Sequence, residues 1–254
     1  MRLIYWSILA AICLPLDAYA ADGERFVPDC AGSVEIAHAH VVRVERNGVL
    51  VLASGRAVIL EGIRLPPDSS HALSAAAQAA LREMALAGTV SFTSPEPKQD
   101  RYDRLRVQGF GRQWLQAALL EQGLARASIS PDRTECAPDL YEAEARARAK
   151  RAGLWALGDY RVRAPQDMKG AVGSFQLVEG LVTNVGQADG RQFIDFSDQR
   201  SFSAVIAPDD RRVFRDFDLD ALTGRHVRIR GIVQDYRGRS EIVLSNPSQI
   251  EVLD

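Results

Sequence analysis

The sequence predicts a mainly β protein with packed helices (α+β), arranged as two successive β units. Three observations lead there. Residues 39–63 alternate apolar and polar side chains with a period of two around the tight turn Asn47-Gly48, where both residues tolerate positive φ. Between 70 and 155, stretches with helical spacing interleave with two further strand-like runs. A stretch at 156–174 holds Gly, Pro and mixed charge without periodicity, and after it a second set of short alternating segments begins at Phe175.

The chain has 254 residues. Its start reads as a cleavable export signal, with Met1-Arg2 positive, Leu3 to Leu16 apolar, and Ala18-Tyr19-Ala20 a small-x-small site cut after Ala20. The apolar run is too short for a membrane span, which takes roughly 20 residues. Ile12 ahead of Cys13 is too large for a lipid-attachment site. No other segment is long and apolar enough to cross a bilayer, so a periplasmic or secreted mature protein is expected. Cys13 leaves with the signal. Cys30 and Cys136 remain, and two cysteines in an exported chain pair as a rule. Such a bridge contributes roughly 4–5 kcal/mol in the chain-entropy model; the alternative is two buried free thiols.

Hydrophobic content of 46%, charged content of 25% and a net charge of −2 describe an ordinary globular chain. Residues 170–254 carry 10 Arg against 13 Asp and Glu, a net of −3. Strong non-specific nucleic-acid binding needs a basic face, and neither total supplies one.

The elements follow in order. Ser70 is a plausible N-cap for a helix to Ala87 with Leu73, Ala77, Leu81 and Met84 on one face. Thr89 to Thr93 and Leu105 to Phe110 read as strands. Trp114 to Gln122 is a short helix closed by Gly123. Pro138 opens a last helix carrying Glu142–Arg146 and Glu144–Arg148 pairs at i,i+4. Gly153 ends it, and Leu154-Trp155 folds back as an apolar cap. Strands are expected at 175–185, 191–197, 201–206, 226–234 and 240–245, with a short helix near Asp209–Phe217. Five strands with one intervening helix fit a small OB barrel.

Four blocks, in order, resemble the staphylococcal-nuclease (thermonuclease) family. Residues 43–67 keep the frame of its opening hairpin through Val44, Leu50, Leu52, Gly55, Val58, Leu60, Gly62, Ile63 and Pro66. Asp100-Arg101-Tyr102-Asp103-Arg104-Leu105 resembles D-R-Y-G-R-L, and Gln122-Gly123-Leu124-Ala125-Arg126 resembles Q-G-L-A-R. Glu144-Ala145-Arg146 with Arg151-Ala152-Gly153-Leu154-Trp155 resembles the family's ending. The resemblance implies a five-stranded OB-type barrel with packed helices over 39–157. The organisation is then signal peptide 1–20, N-terminal segment 21–38, nuclease-like domain 39–157, linker 158–174 and a second small OB-like β-barrel at 175–254. Such a barrel resembles one that follows some bacterial nuclease-like domains.

The resemblance also implies a calcium-dependent phosphodiesterase site, and here the chain departs from the family. Arg46 and Gly48 stand in place of the two turn aspartates. Ile59 replaces a phosphate-binding arginine, Arg64 a metal-binding aspartate and Pro67 the general-base glutamate. Calcium needs several oxygen ligands, and Gly48 offers none. No confident catalytic or metal-ligating residue remains, and no cofactor is expected. Arg104 is the one family site residue retained. Its other reading is structural, bonding loop carbonyls or a carboxylate such as Asp103. Arg104, Arg46 and Arg64 are the candidate phosphate-binding cations. Asp68 follows Pro67, within reach of the position of the missing glutamate, but reads first as a solvated loop residue or part of the cap of the Ser70 helix. Glu45, Glu61, Asp100 and Asp103 lack the spacing of the family's metal site. Phe193, Phe196, Phe202 and Tyr236 are stacking candidates, most of them better read as core. His40, His71 and His226 have no metal-ligand spacing, and His38-Ala39-His40, at a strand start, is a weak site at best. The expected function is a non-catalytic binding or scaffolding module of the cell envelope, with nucleic acid or an envelope protein as possible partner. The alternative is a secreted nuclease acting on DNA or RNA.

Overall fold

A computed structural model describes residues 27–196 and 201–253; the signal segment lies outside them. The first strand, β1 (Val34–Val44), pairs along its first part with β5 (Thr89–Ser94) and along its last part with β2 (Leu50–Leu52). Bulges between Glu35 and Ala37 and between Val41 and Arg43 bend it enough to serve two neighbours. Its opening residues, within the stretch 21–38, are mostly exposed, which is why they show no apolar alternation. With β3 (Ala57–Leu60) and β6 (Leu105–Phe110) these strands close a barrel of order β1-β2-β3-β6-β5. Its one parallel pair is β3 with β6, Val58 opposite Leu105. Leu50, Leu52, Val58, Val90, Phe92 and Val107 fill the interior, at or near zero exposure.

Three helices pack on the barrel. α1 (His71–Leu86) buries Ser74, Ala77, Leu81 and Ala85, a stripe at i, i+3, i+7, i+11. Leu73 and Met84 are only half-buried, so the inward face is turned slightly from the expected one. Ser70 holds the N-cap position, but its hydroxyl bonds Tyr160 (2.9 Å) instead of capping the backbone. α2 (Leu115–Glu121) is almost wholly buried, and α3 (Ala137–Ala149) starts with Pro138 in its first turn. The expected i,i+4 pairs form, Arg146–Glu142 at 2.5 Å and Arg148–Glu144 at 3.5 Å. Cys30 and Cys136 form a disulfide, tying the segment before β1 to the start of α3 across 106 positions.

Two motif glycines acquire a reason here. Gly123, after α2, and Gly153, after α3, both have positive φ, and their backbones pack together: the Leu154 N–H donates to the Gly123 carbonyl (2.9 Å). A Cβ on Gly123 would overlap the Ala152 carbonyl, and one on Gly153 would overlap that of Gly123.

The second β region has seven strands: β8 (Phe175–Leu181), β9 (Asn184–Ala188), β10 (Arg191–Asp195), β11 (Phe202–Ile206), β12 (His226–Tyr236), β13 (Arg239–Leu244) and β14 (Ile250–Val252). The strand expected over 175–185 is two strands. β8 pairs with β12, then at Val182-Thr183 the chain crosses over and β9 pairs with β10. Ladder order then runs β8-β12-β13-β11-β10-β9 and returns to the chain segment it left. The one parallel pair, β11 with β13, repeats the arrangement of the first barrel. This is OB-like strand order. The helix expected near 209–217 is instead a 3-10 turn over Pro208–Phe214, followed by another at Asp220–Leu222. Its sequence offers little apolar face beyond Val213 and Phe214 to hold a full helix against the sheet.

The aperiodic stretch between the two regions is packed. Tyr160, Met168 and Ala171 are buried, and a small core of Ala147, Leu154, Trp155, Tyr160, Phe175 and Leu177 spans both sides. A polar interlock runs through it. Arg230 of β12 is 1% exposed; one amino group meets Glu144 of α3 (2.9 Å) and the Ala127 carbonyl (3.1 Å), the other meets Glu251. Its guanidinium lies 3.7 Å from the Tyr141 ring centre, and the Tyr141 hydroxyl donates to the Ser248 carbonyl (2.7 Å). Among the described residues no helix is long and apolar enough to cross a membrane.

Candidate functional site

A cleft of about 460 Å³ opens on the first barrel where β3 runs into β4 (Ile63–Arg64) and then Leu65-Pro66-Pro67-Asp68. The turn between β1 and β2 supplies Arg46 and Asn47, β6 supplies Arg106, and Ser128 and Ser130 follow β7 (Arg126–Ala127). The positions where the resemblance implies a departure come together here: Arg46, Ile59, Arg64 and Pro67 all line it. Arg104 is not among the lining residues.

Arg104 is instead a staple of its own turn. Its Nε and Nη2 both donate to Asp100 Oδ2, at 2.8 and 2.5 Å, while Asp100 Oδ1 accepts the Tyr102 and Arg104 backbone N–H groups. The guanidinium also lies 4.8 Å from the Tyr102 ring centre. Partial burial works to raise the Asp100 pKa, but the Arg104 and backbone hydrogen bonds together hold it below the usual carboxylate value. The carboxylate that Arg104 bonds is thus Asp100 and not the expected Asp103. Asp103 has φ 59°, the left-handed conformation for which the family's glycine is suited.

The floor of the cleft holds an ion pair. Arg106 lies on β6, two residues beyond Arg104, which precedes the strand. Its Nε donates to Glu61 Oε2 (2.5 Å), and its two amino groups grip Asp132 at 3.0 and 3.1 Å. The hydrogen bond to Glu61 outweighs burial and raises the Arg106 pKa above its ordinary value; Asp132, held by Arg106, sits below its own. Ser130 donates to the other Glu61 oxygen (2.7 Å). Asp68 accepts from Ser74 Oγ (3.1 Å), which is its role in the start of α1.

The donor set does not fit calcium. Glu61 is engaged on both oxygens, Asp100 is consumed by Arg104 and its turn, and exposed Asp68 accepts from Ser74 on one oxygen. Calcium takes six to eight oxygens, mostly from carboxylates free to turn toward it. Among the described residues, no three His, Cys, Asp or Glu side chains gather in a metal-binding group. Histidines are likewise apart, His38 bonding Ser91 Oγ (2.8 Å).

Cations on this face are less well matched. Arg46 and Arg64 are exposed, and neither forms an ion pair among the described residues. Arg64 pairs across the short β4–β7 ladder directly opposite Arg126, so two like charges face each other. Arg126 is buried; desolvation first, with Arg64 adding to it, pulls its pKa down to about 10 against the opposing pull of Tyr160 and Glu144. Both guanidiniums lean on Phe175, at 5.5 Å for Arg64 and 4.8 Å for Arg126. Arg126 also donates to the Phe175 carbonyl (2.6 Å). The sequence marked Arg126 only as part of a motif. Its role beneath Arg64 depends on a residue of the second β region and had no signal in local spacing.

No curated protein matches the chain. The matched family begins just past the hairpin that carries the altered turn, and the closed barrel joins that hairpin to the rest. Residues 57–157 match the model of the staphylococcal nuclease homologue family, and the chain carries a domain of that family.

Proposed function

We propose that this protein is an exported, non-catalytic binding module of the cell envelope, whose barrel cleft holds a phosphate-bearing polymer such as single-stranded nucleic acid. The observation that carries the reading is the division of charge in the cleft. Every carboxylate bordering it is tied to a protein donor, while Arg46 and Arg64 project into it without a carboxylate partner among the described residues. Such a site attracts an anion and lacks the base and ligands that would activate water. Export rests on the signal-like residues 1–20, the disulfide being in keeping with an oxidising compartment.

The test pairs binding with turnover. Labelled single-stranded DNA and RNA are titrated with the mature protein at two salt concentrations, with and without calcium, and release of acid-soluble nucleotides is followed in parallel. The expected result is salt-sensitive binding, weakened in Arg46→Ser and Arg64→Ser and kept in Arg104→Ala, with no release. Release that needs calcium would overturn the reading and favour the nuclease alternative.

A further inference from the structure

A second cleft, of about 260 Å³, lies on the outer face of the second β region, between the β9–β10 and β12–β13 turns. Strand register explains its composition. Ile194, Ala204 and Ile242 point into the core at zero exposure, so their neighbours Phe193, Ser203 and Glu241 point out. Phe196 and Phe202, the other stacking candidates, are core residues packed on each other with ring centres 5.6 Å apart. Phe193 is half-buried and Tyr236 is 41% exposed, and both line this cleft.

Arg191 is held between those two rings. Its guanidinium carbon lies 5.4 Å from the Phe193 centre and 4.3 Å from the Tyr236 centre, and its Nη2 donates to Glu241 Oε1 (2.6 Å). Its Nη1 is buried and meets no hydrogen-bond acceptor among the described residues. A buried guanidinium nitrogen in that position costs free energy until an acceptor reaches it. Arg237, 5.2 Å from the Tyr236 ring centre, and the exposed Arg239 add two cations, against Asp189 and the already paired Glu241.

We infer that this second cleft binds a single nucleotide, with its phosphate at Arg191 Nη1 and the Arg237–Arg239 pair and its base stacked on the Tyr236–Arg191 platform. Two arguments select that class. Guanidiniums already lie against Tyr236 and draw on its negative face, which disfavours the C–H bonds of a sugar ring and favours a flat, electron-rich base. The net charge of −3 over 170–254 and the small volume oppose a long polyanion, which needs a basic groove along several phosphates.

The experiment uses the mature protein and fluorescently labelled AMP, followed by anisotropy, with unlabelled AMP, UMP, inorganic phosphate and glucuronate as competitors. Tyr236→Ser and Arg239→Ser are exposed changes that leave the Arg191–Glu241 pair in place, and their thermal unfolding is checked alongside. Arg64→Ser, in the first cleft, separates the two sites. AMP and UMP should displace the label alike, inorganic phosphate much more weakly, and each of the two cleft variants should weaken binding about five-fold or more. Arg64→Ser should leave it unchanged. Absence of binding, displacement by glucuronate as readily as by AMP, or a loss that follows Arg64 instead of Tyr236 would each overturn the inference.

Discussion

Replacing Arg230 by methionine tests how the two β regions are joined. Arg230 is 1% exposed and Glu144 is fully buried, so the change removes one partner of a buried ion pair and leaves the other. Glu144 Oε1 keeps the Ala127 N–H (2.8 Å), but Oε2 is left with Arg148 alone, at 3.5 Å. Stranding a buried charge in this way costs about 3–5 kcal/mol. For a protein of this size that corresponds to a fall in melting temperature of about 6–20 °C. The double change Arg230→Met with Glu144→Gln removes both charges and keeps the acceptor for Ala127, so it should recover at least half of the loss. Urea unfolding followed by tryptophan fluorescence reads both effects, since Trp155 sits in the core between the regions. A single variant within about 1 kcal/mol of the parent, or a double variant no better than the single, would refute the argument that the pair is dry and mutually dependent.

Three further outcomes follow from particular contacts. Reduction of Cys30–Cys136, or its replacement by serines, should lower stability by roughly 4–5 kcal/mol in denaturant titrations, and equal midpoints with and without reductant would exclude a stabilising bridge. Asp100 has a folded pKa below its ordinary 3.8, so its contribution is present above that value and is lost as pH falls through the lower folded value. Acid unfolding of Asp100→Asn should therefore be flatter below pH 3.8 than that of the parent. Gly123→Ala should cost roughly 2–5 kcal/mol in the same denaturant assay, combining left-handed backbone with overlap at Ala152.

What was legible in the sequence is what short-range chemistry encodes. Asn47-Gly48 fixed the first hairpin, the i,i+4 charge pairs fixed α3, and the motif glycines at 123 and 153 marked two helix ends that pack together. The break at Val182-Thr183 was not legible, because both halves alternate alike and only their partners differ: Val182 bonds to Arg225, Thr183 to Asp195. The Glu61–Arg106–Asp132 cluster was not legible, since its members lie on three segments that meet only in the closed barrel. Arg64 gained its neighbours the same way, from β7 and from Phe175 beyond the aperiodic stretch.

The same cluster opposes any return of the carboxylate site that the resemblance implies. Introducing Arg64→Asp and Pro67→Glu supplies one ligand and the base that the resemblance implies, but Glu61 stays bound to Arg106 and Ser130. Of the two turn positions, Gly48 has φ 80°, and a Cβ on it would stand 2.5 Å from Leu65 Cδ1. An aspartate there would need both a left-handed backbone and displacement of a half-buried leucine that packs against the barrel core. The double variant should therefore gain no calcium binding, and adding Gly48→Asp should lower the melting temperature instead of completing the site. A ligand that binds only the folded state raises stability by about 2.7 kcal/mol at one hundred times its Kd, so thermal unfolding in millimolar calcium detects even a modest site. A calcium-dependent rise in the double variant would show that the carboxylates of the cleft floor can be drawn away from Arg106, and with it the charge division on which the binding reading stands would fail.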